Sequence, residues 1–72
     1  MTGLSVDFRH LAHPGGSVMV WEDVLAVPQV GDRIRRQDAT WLVVEVTWHG
    51  PHDVEVLVGD RDDPTAVIRA GR

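Results

Sequence analysis

Residues 33–58 read RIRRQDATWLVVEVTWHGPHDVEVLV, and they carry the clearest periodic pattern in the chain. Residues 41–48 alternate between two sets of side chains, which is the period of a half-buried β-strand. One set is wholly apolar and consists of Leu42, Val44, Val46 and Trp48; the other consists of Trp41, Val43, Glu45 and Thr47. We therefore expect the first set to face a core and the second set to face outward.

The segment before this strand predicts a hairpin. A three-residue loop at 37–39 would place Ile34 opposite Leu42 on the inner face, and Arg35 opposite Trp41 on the outer face. A two-residue loop would turn one apolar set to water, because a shift of one residue exchanges the two faces of a strand.

A second turn follows the strand. The run HGPHD at 49–53 contains glycine, proline and aspartate, which are typical turn residues. The apolar alternation then predicts three inward-facing pairs, Trp48 with Val54, Val46 with Val56, and Val44 with Val58.

The remaining segments predict further short strands. Residues 4–9 alternate and predict a first strand that ends near Leu11, before a turn at 13–16. Residues 17–27 predict a long strand that bends in a bulge at Glu22-Asp23, with a short helix over 21–26 as the alternative. We expect a solvated loop at 60–64, a last short strand at 65–69 that covers a sheet edge, and a frayed end at 70–72.

Five or six short antiparallel strands in a chain of 72 residues predict one small closed or half-closed barrel. The run VPQVGDRI at 27–34, followed by a hairpin and WLVVEV at 41–46, resembles the SH3-like barrel group. The resemblance rests on a P-x-V-G-D, strand, turn, strand layout found in many small bacterial and phage domains, and it covers about residues 24–58. It implies an all-β, SH3-like barrel with an ordered core at about 4–58.

That group includes peptide binders, RNA binders and structural subunits, so the resemblance implies no reaction. The chain has no tyrosine and lacks the aromatic peptide-groove motif of signalling SH3 domains, so the resemblance does not imply recognition of proline-rich peptides.

The composition excludes several functional classes. The formal net charge is −4, and residues 37–72 hold three arginines against seven acids, which disfavours binding to nucleic acid. The absence of cysteine excludes disulfides and thiolate metal sites. No apolar run approaches 18 residues, and the start lacks a signal-peptide pattern, so we expect a cytoplasmic chain without a membrane partner and without a cofactor.

Four histidines form two His-x-x-His pairs, His10 with His13 and His49 with His52, the second followed by Asp53. Imidazole and carboxylate groups are ligands that zinc accepts. Both pairs fall on turns that we expect at opposite ends of the barrel, which favours wet turn histidines. A metal site at His49, His52 and Asp53 is kept as a third hypothesis.

Two outward-facing carboxylates, Glu45 and Glu55, lie on neighbouring predicted strands, with Leu57 opposite Glu45 and Thr47 opposite Glu55. Acid–base catalysis needs carboxylates that converge in a pocket, whereas these face solvent. We therefore expect a protein that is not an enzyme.

One basic and aromatic cluster combines Arg33, Arg35 and Arg36 with Trp41. Arg35 opposite Trp41 predicts a cation–π pair that shields its own sheet. The alternative is a base-stacking platform, which gives nucleic-acid binding through these four residues as a second hypothesis.

The first hypothesis is a protein-binding or assembly module. Trp41, Val43 and Leu57 are apolar and are predicted to face outward, with Arg33 and Arg35 as a polar rim. An exposed apolar patch of this kind is typical of a protein contact, made with a second copy or with a different protein. The alternative is that residues 17–27 and Val67-Ile68 fold over this face.

Overall fold

A computed structural model describes residues 3–71 of the 72-residue chain. Its elements are β1 (Leu4–His10), β2 (Met19–Val24), β3 (Arg33–Arg35), β4 (Thr40–Trp48), β5 (Asp53–Asp60) and α1 (Pro64–Arg69). The five strands form one sheet in the order β2-β1-β5-β4-β3, and the sheet curls into a half-barrel. The mostly-strand class and the small barrel-like shape confirm the coarse fold prediction.

The pairing of β1 with β5 is parallel, with Ser5 opposite Asp53 and His10 opposite Val58. The prediction of a purely antiparallel barrel was therefore wrong at this pair. Turn signals determine only how consecutive strands pair, and β1 and β5 lie far apart in the chain. Because β1 lies between β2 and β5, the two edges of the sheet are β2 and β3.

The β4–β5 hairpin has the predicted register at its turn, with Trp48 opposite Val54 and Val46 opposite Val56. The register then shifts between Val43 and Glu45, so that Val43 lies opposite Val58. The predicted pairing of Val44 with Val58 was wrong because β4 bulges at Val44. The bulge lets two consecutive valines be buried, since Val43 joins the inner core and Val44 is buried outside it.

The β3–β4 hairpin differs from its prediction by one residue. Ile34 lies opposite Trp41, and Arg35 lies opposite Thr40. The predicted three-residue loop was wrong: the Arg36 N–H donates to the Ala39 carbonyl at 2.7 Å and closes a two-residue loop at 37–38. This register directs both Ile34 and Trp41 to the inner core, which the predicted register would not do.

The core lies on the concave face of the sheet. Its buried members are Val6, Phe8, Ile34, Val43, Val54, Val56 and Val58. Trp21 of β2 packs edge-on against Phe8 with ring centroids 4.8 Å apart. Val27 from the 25–32 connection also packs on this cluster, so the connection covers part of the open side between β2 and β3.

The predicted last strand at 65–69 is instead the helix α1. Asp63 caps it, because its side chain accepts a hydrogen bond from the Thr65 N–H at 3.0 Å, and Pro64 occupies the first turn. The helix packs on the convex face against β4 and β5 and buries Ala66. Of the predicted frayed end, Arg72 lies outside the described residues. Within residues 3–71, no helix has the length and apolar character needed to cross a membrane.

The predicted bulge at Glu22-Asp23 is confirmed. The β1–β2 register shifts between Leu4 and Val6, opposite the predicted bulge at Glu22-Asp23, and Asp23 has a φ of 59°. The 25–32 connection then ends in a turn where Gly31 has a φ of 96° and the Asp32 carboxylate accepts from the Gln29 N–H at 2.7 Å.

Candidate functional site

The five residues of the predicted interaction surface do not share a face. Val43 is fully buried in the inner core, and Trp41 packs against that core. Leu57 is half-buried on the convex face, whereas Arg33 and Arg35 are exposed on the edge strand β3. The expected outward orientation of Trp41 and Val43 was wrong, because the bulge in β4 and the shifted β3 pairing reverse the faces of these two residues.

Trp41 is held by two side chains at one end of the half-barrel. The Arg36 guanidinium lies 5.0 Å from the ring centroid, and the His10 ring meets it edge-on with centroids 5.9 Å apart. The cation–π partner is thus Arg36 and not the predicted Arg35. Arg36 also donates to the Met19 sulfur at 2.9 Å, which joins the end of β3 to the start of β2. These contacts give Trp41 a structural role and leave it a poor base-stacking platform.

The histidine pairs lie at opposite ends of β5, as expected. His10 Nε2 lies 3.1 Å from Asp60 Oδ1, whereas His49 Nε2 lies 2.9 Å from Glu55 Oε1. The parallel pairing of β1 with β5 separates the two ends. In the described part of the chain, no group of three or more histidines and carboxylates is arranged to hold a metal ion.

The carboxylates of the convex face are engaged in ion pairs. Glu55 also lies 3.9 Å from Arg9, and Glu45 accepts from Arg69 at 3.0 Å. Leu57 lies opposite Glu45, and Thr47 lies opposite Glu55, as predicted. Glu55 shares Arg9 with Asp7, which lies 3.1 Å from the guanidinium, whereas the pair between Glu45 and Arg69 ties α1 to β4.

A polar cleft of about 810 Å³ lies between the β3–β4 loop and the segment that precedes α1. Its charged lining consists of Arg35, Arg36, Arg61, Asp38, Asp60, Asp62 and Asp63. Asp63 caps α1, Asp60 contacts His10 and Asp62 lies 3.6 Å from Arg61, so three of the four aspartates already have partners. A cleft with both signs of charge does not select a ligand by charge.

A smaller groove of about 330 Å³, lined mainly by apolar side chains and called the apolar groove below, lies at the opposite end of β4 from this cleft. It is lined by Val27, Pro28, Gln29, Val30, Val46 and Trp48. Trp48 is 53% exposed and Val30 is 48% exposed, although both are large apolar side chains. Two large, half-exposed apolar side chains therefore flank this concave site.

The groove exists because β3 is much shorter than β4. The turn at Gly31 and Asp32 carries the 25–32 connection away from the sheet, so β3 pairs with β4 only at Thr40, Trp41 and Leu42. Beyond Val43, β4 continues to Trp48, and within residues 3–71 no strand lies on that side.

Trp48 was not predicted to be a surface residue, because the alternation of β4 assigned it to the core. The signal that could have found it is its position at the last residue of β4, immediately before the turn at 49–52. A strand end at the mouth of a small barrel has no further layer above it.

Comparison with protein families, with curated protein sequences and with solved structures gives no match for this chain. Its candidate function is accordingly derived from the geometry of the groove.

Proposed function

We propose that this chain is a protein-binding or assembly module that contacts its partner through the apolar groove, with Trp48 as the anchor. The carrying observation is that Trp48, 53% exposed, flanks a concave apolar site instead of standing alone on a convex surface. Apolar grooves with an accessible tryptophan are typical of protein–protein contacts, where such residues supply much of the affinity.

The scaffold around the groove favours this role. Trp48 pairs across the hairpin with Val54, which is buried, and Val46 packs on the inner core. A rigid base lowers the entropy that is lost on binding. Both side chains are already about half covered, so burying the rest under a partner would contribute about half of the roughly 1.5–3 kcal/mol that full burial of an exposed side chain supplies.

The predicted interaction surface is revised accordingly. Trp41 and Val43 stabilise the core, and Leu57 lies on the convex face. Arg33 and Arg35 are exposed on β3 but do not line the groove, so the revised surface leaves them out. We further propose that the half-barrel belongs to the SH3-like group and acts in the cytoplasm without catalysing a reaction. The turn at Gly31 that leads into β3 and β4 supports the fold proposal.

The nucleic-acid hypothesis has less support, because the ring of Trp41 is engaged by Arg36 and His10 and the protein is acidic. The metal hypothesis is similarly weakened, since His49 contacts Glu55 instead of His52.

Site-specific photo-crosslinking tests the proposed function. A benzophenone amino acid replaces Trp48 in one variant and Ile68 in a control, because Ile68 is 77% exposed on α1, away from the groove. Expressed in the organism that encodes the chain, the variant at position 48 is expected to give a discrete protein adduct that position 68 does not give. The adduct mass separates a second copy from a different protein. Identical adducts from both positions, or none from position 48, would contradict the proposal.

A further inference from the structure

We propose that the free edge of β4 at residues 44–48 binds one extended segment of a different protein as an added β-strand. This inference rests on the proposed function, and it specifies how the groove would hold its partner. Strand addition combines main-chain hydrogen bonds along an open edge with pockets for alternate side chains.

The hydrogen bonding of β4 determines which backbone groups are open. The His49 N–H donates to the Asp53 carbonyl at 2.9 Å, and the same register pairs Thr47 with Glu55. In an antiparallel ladder, backbone groups alternate between the two sides of a strand. The N–H and C=O groups of Val46 and Trp48 therefore point away from β5, toward the groove.

In the described residues, the segment 25–30 on the other side of the groove makes no backbone hydrogen bond with Val46 or Trp48. The last backbone bonds between β4 and the preceding connection are made at Val43, whose N–H donates to Asp32 at 2.9 Å and whose carbonyl accepts from Gly31 at 2.9 Å. Across residues 3–71, no backbone hydrogen bond joins 44–48 to 25–30. The polar backbone groups of Val46 and Trp48 thus line an apolar groove without a strand to pair with them.

The space suits a single strand. The groove of about 330 Å³ is lined by Val46 and Trp48 on one side and by Pro28 and Val30 on the other, so it follows about three residues of β4, or about 10 Å of strand. The added segment would occupy the position that β3 would fill if it continued in line. The edge at β2 is less suitable, because the bulge at Glu22-Asp23, with its positive φ at Asp23, interrupts it.

The two faces of the site define the chemistry of the segment. Its inward side chains would meet Val27, Val46 and Trp48, so apolar residues are expected at alternate positions. On the other face lies Glu45, whose carboxylate is only partly neutralised at the surface by Arg69. Basic or hydroxyl-bearing residues are therefore expected between the apolar ones.

A different protein is favoured over a second copy by charge. The longer free edge that a second copy could offer is β2, which carries Glu22 and Asp23. These acids would approach Glu45 across the new pair, and like charges that face each other across strands are destabilising.

Backbone N-methylation tests the inference. The 72-residue chain is made by chemical synthesis with N-methyl-Val46, which removes one outward-pointing donor. N-methyl-Arg33 is the matched control. Asp32 and Arg36 both bond to the 39–43 segment, so alternation along β3 makes the Arg33 N–H point away from β4, at a position that does not line the groove. N-methyl-Trp48, at the strand end, is a second variant in case N-methyl-Val46 does not fold.

The probe is a displayed library of random eight-residue peptides selected on the wild-type chain. We expect enriched peptides to alternate apolar with basic or hydroxyl residues, and to slow amide hydrogen exchange at Val46 and Trp48. N-methyl-Val46 is expected to weaken the best peptide at least tenfold, whereas N-methyl-Arg33 changes its affinity less than twofold.

Three results would overturn the inference: no enriched peptide, an enriched peptide that binds N-methyl-Val46 as well as wild type, or amides of Val46 and Trp48 that are already protected in the free monomer. If the amides of Val46 and Trp48 are protected from exchange only in a dimer of the chain, or only when single-stranded DNA is added, the choice of a different protein as the partner would be overturned. If the photo-crosslink at position 48 persists in the N-methyl-Val46 chain, strand addition fails while the proposed function stands. If position 48 gives no adduct in wild type, the proposed function fails.

Discussion

Gly59 of β5 lies directly beneath Ala66 of α1, so closely that a Cβ atom placed on Gly59 would be 2.6 Å from the Ala66 Cβ. The absence of a side chain at Gly59 lets the helix rest on the sheet. Leu42 lies opposite Gly59 on β4 and is buried in the same region. The glycine at position 59 of β5 and the alanine at position 66 of α1 therefore determine how closely α1 packs on the convex face.

Replacing Gly59 with alanine should lower the free energy of unfolding by about 1–3 kcal/mol, because overpacking forces the helix away from the sheet. The control is Gly50→Ala, since a Cβ at Gly50 would meet no atom within 4 Å. Urea unfolding of both variants measures the difference. Equal stabilities would show that α1 does not pack over Gly59.

The bulge at Val44 makes a second prediction, which contrasts two valines of β4. Val43 is fully buried in the inner core, whereas Val46 is only partly buried. Val43→Ala should cost about 1–3 kcal/mol of stability through lost burial and the cavity left behind, and Val46→Ala should cost less. Urea unfolding again provides the measurement, and the reverse order would mean that β4 does not bulge.

The cap of α1 gives a third prediction. Asp63→Ala removes the acceptor for the Thr65 N–H and should destabilise the protein by about 0.5–2 kcal/mol. Amide hydrogen exchange along 65–70 should accelerate more than exchange in β5. Asp62→Ala is the control, because Asp62 is almost fully exposed and makes only a 3.6 Å surface pair with Arg61. Equal acceleration in the two variants would contradict the capping role.

Zinc is expected to leave the melting temperature nearly unchanged at stoichiometric concentration. The two histidine pairs lie at opposite ends of β5, and His10 and His49 each contact a carboxylate of their own. A metal bound to the folded state alone would stabilise it by about 2.7 kcal/mol at 100 times its dissociation constant. A large rise in Tm that His49→Ala and His52→Ala abolish would restore the metal hypothesis.

The sequence predicted the parts of the fold that local turns determine. The tight turn at 49–52 specifies which residues of β4 and β5 face each other next to it, so the pairs nearest Trp48 were correct. Farther along, Val43 and Val44 are both apolar, and alternation cannot reveal that Val44 is an extra residue between Val43 and Glu45. The parallel pairing of β1 with β5 was likewise hidden, since no turn connects those two strands.

The helix and the groove were missed for different reasons. Asp63-Pro64 is a helix-start signal, but the β-prone residues Val67 and Ile68 outweighed it in the prediction of a strand. Trp48 has the parity of a core residue, and only the three-dimensional extent of β3 shows that the core ends before it. Parity assigns a residue to one face of a sheet, but the neighbouring elements determine whether that face is covered.

The most direct test of the binding role of the groove is an affinity measurement. The Trp48→Ala variant is compared with wild type for binding to the partner that was crosslinked from position 48. Ile68→Ala is measured in parallel, because it truncates an even more exposed apolar side chain on the opposite face. We predict at least tenfold weaker binding for Trp48→Ala, with unchanged stability, and affinity within twofold of wild type for Ile68→Ala. Equal affinities for the two variants would contradict the assignment of the groove as the binding surface.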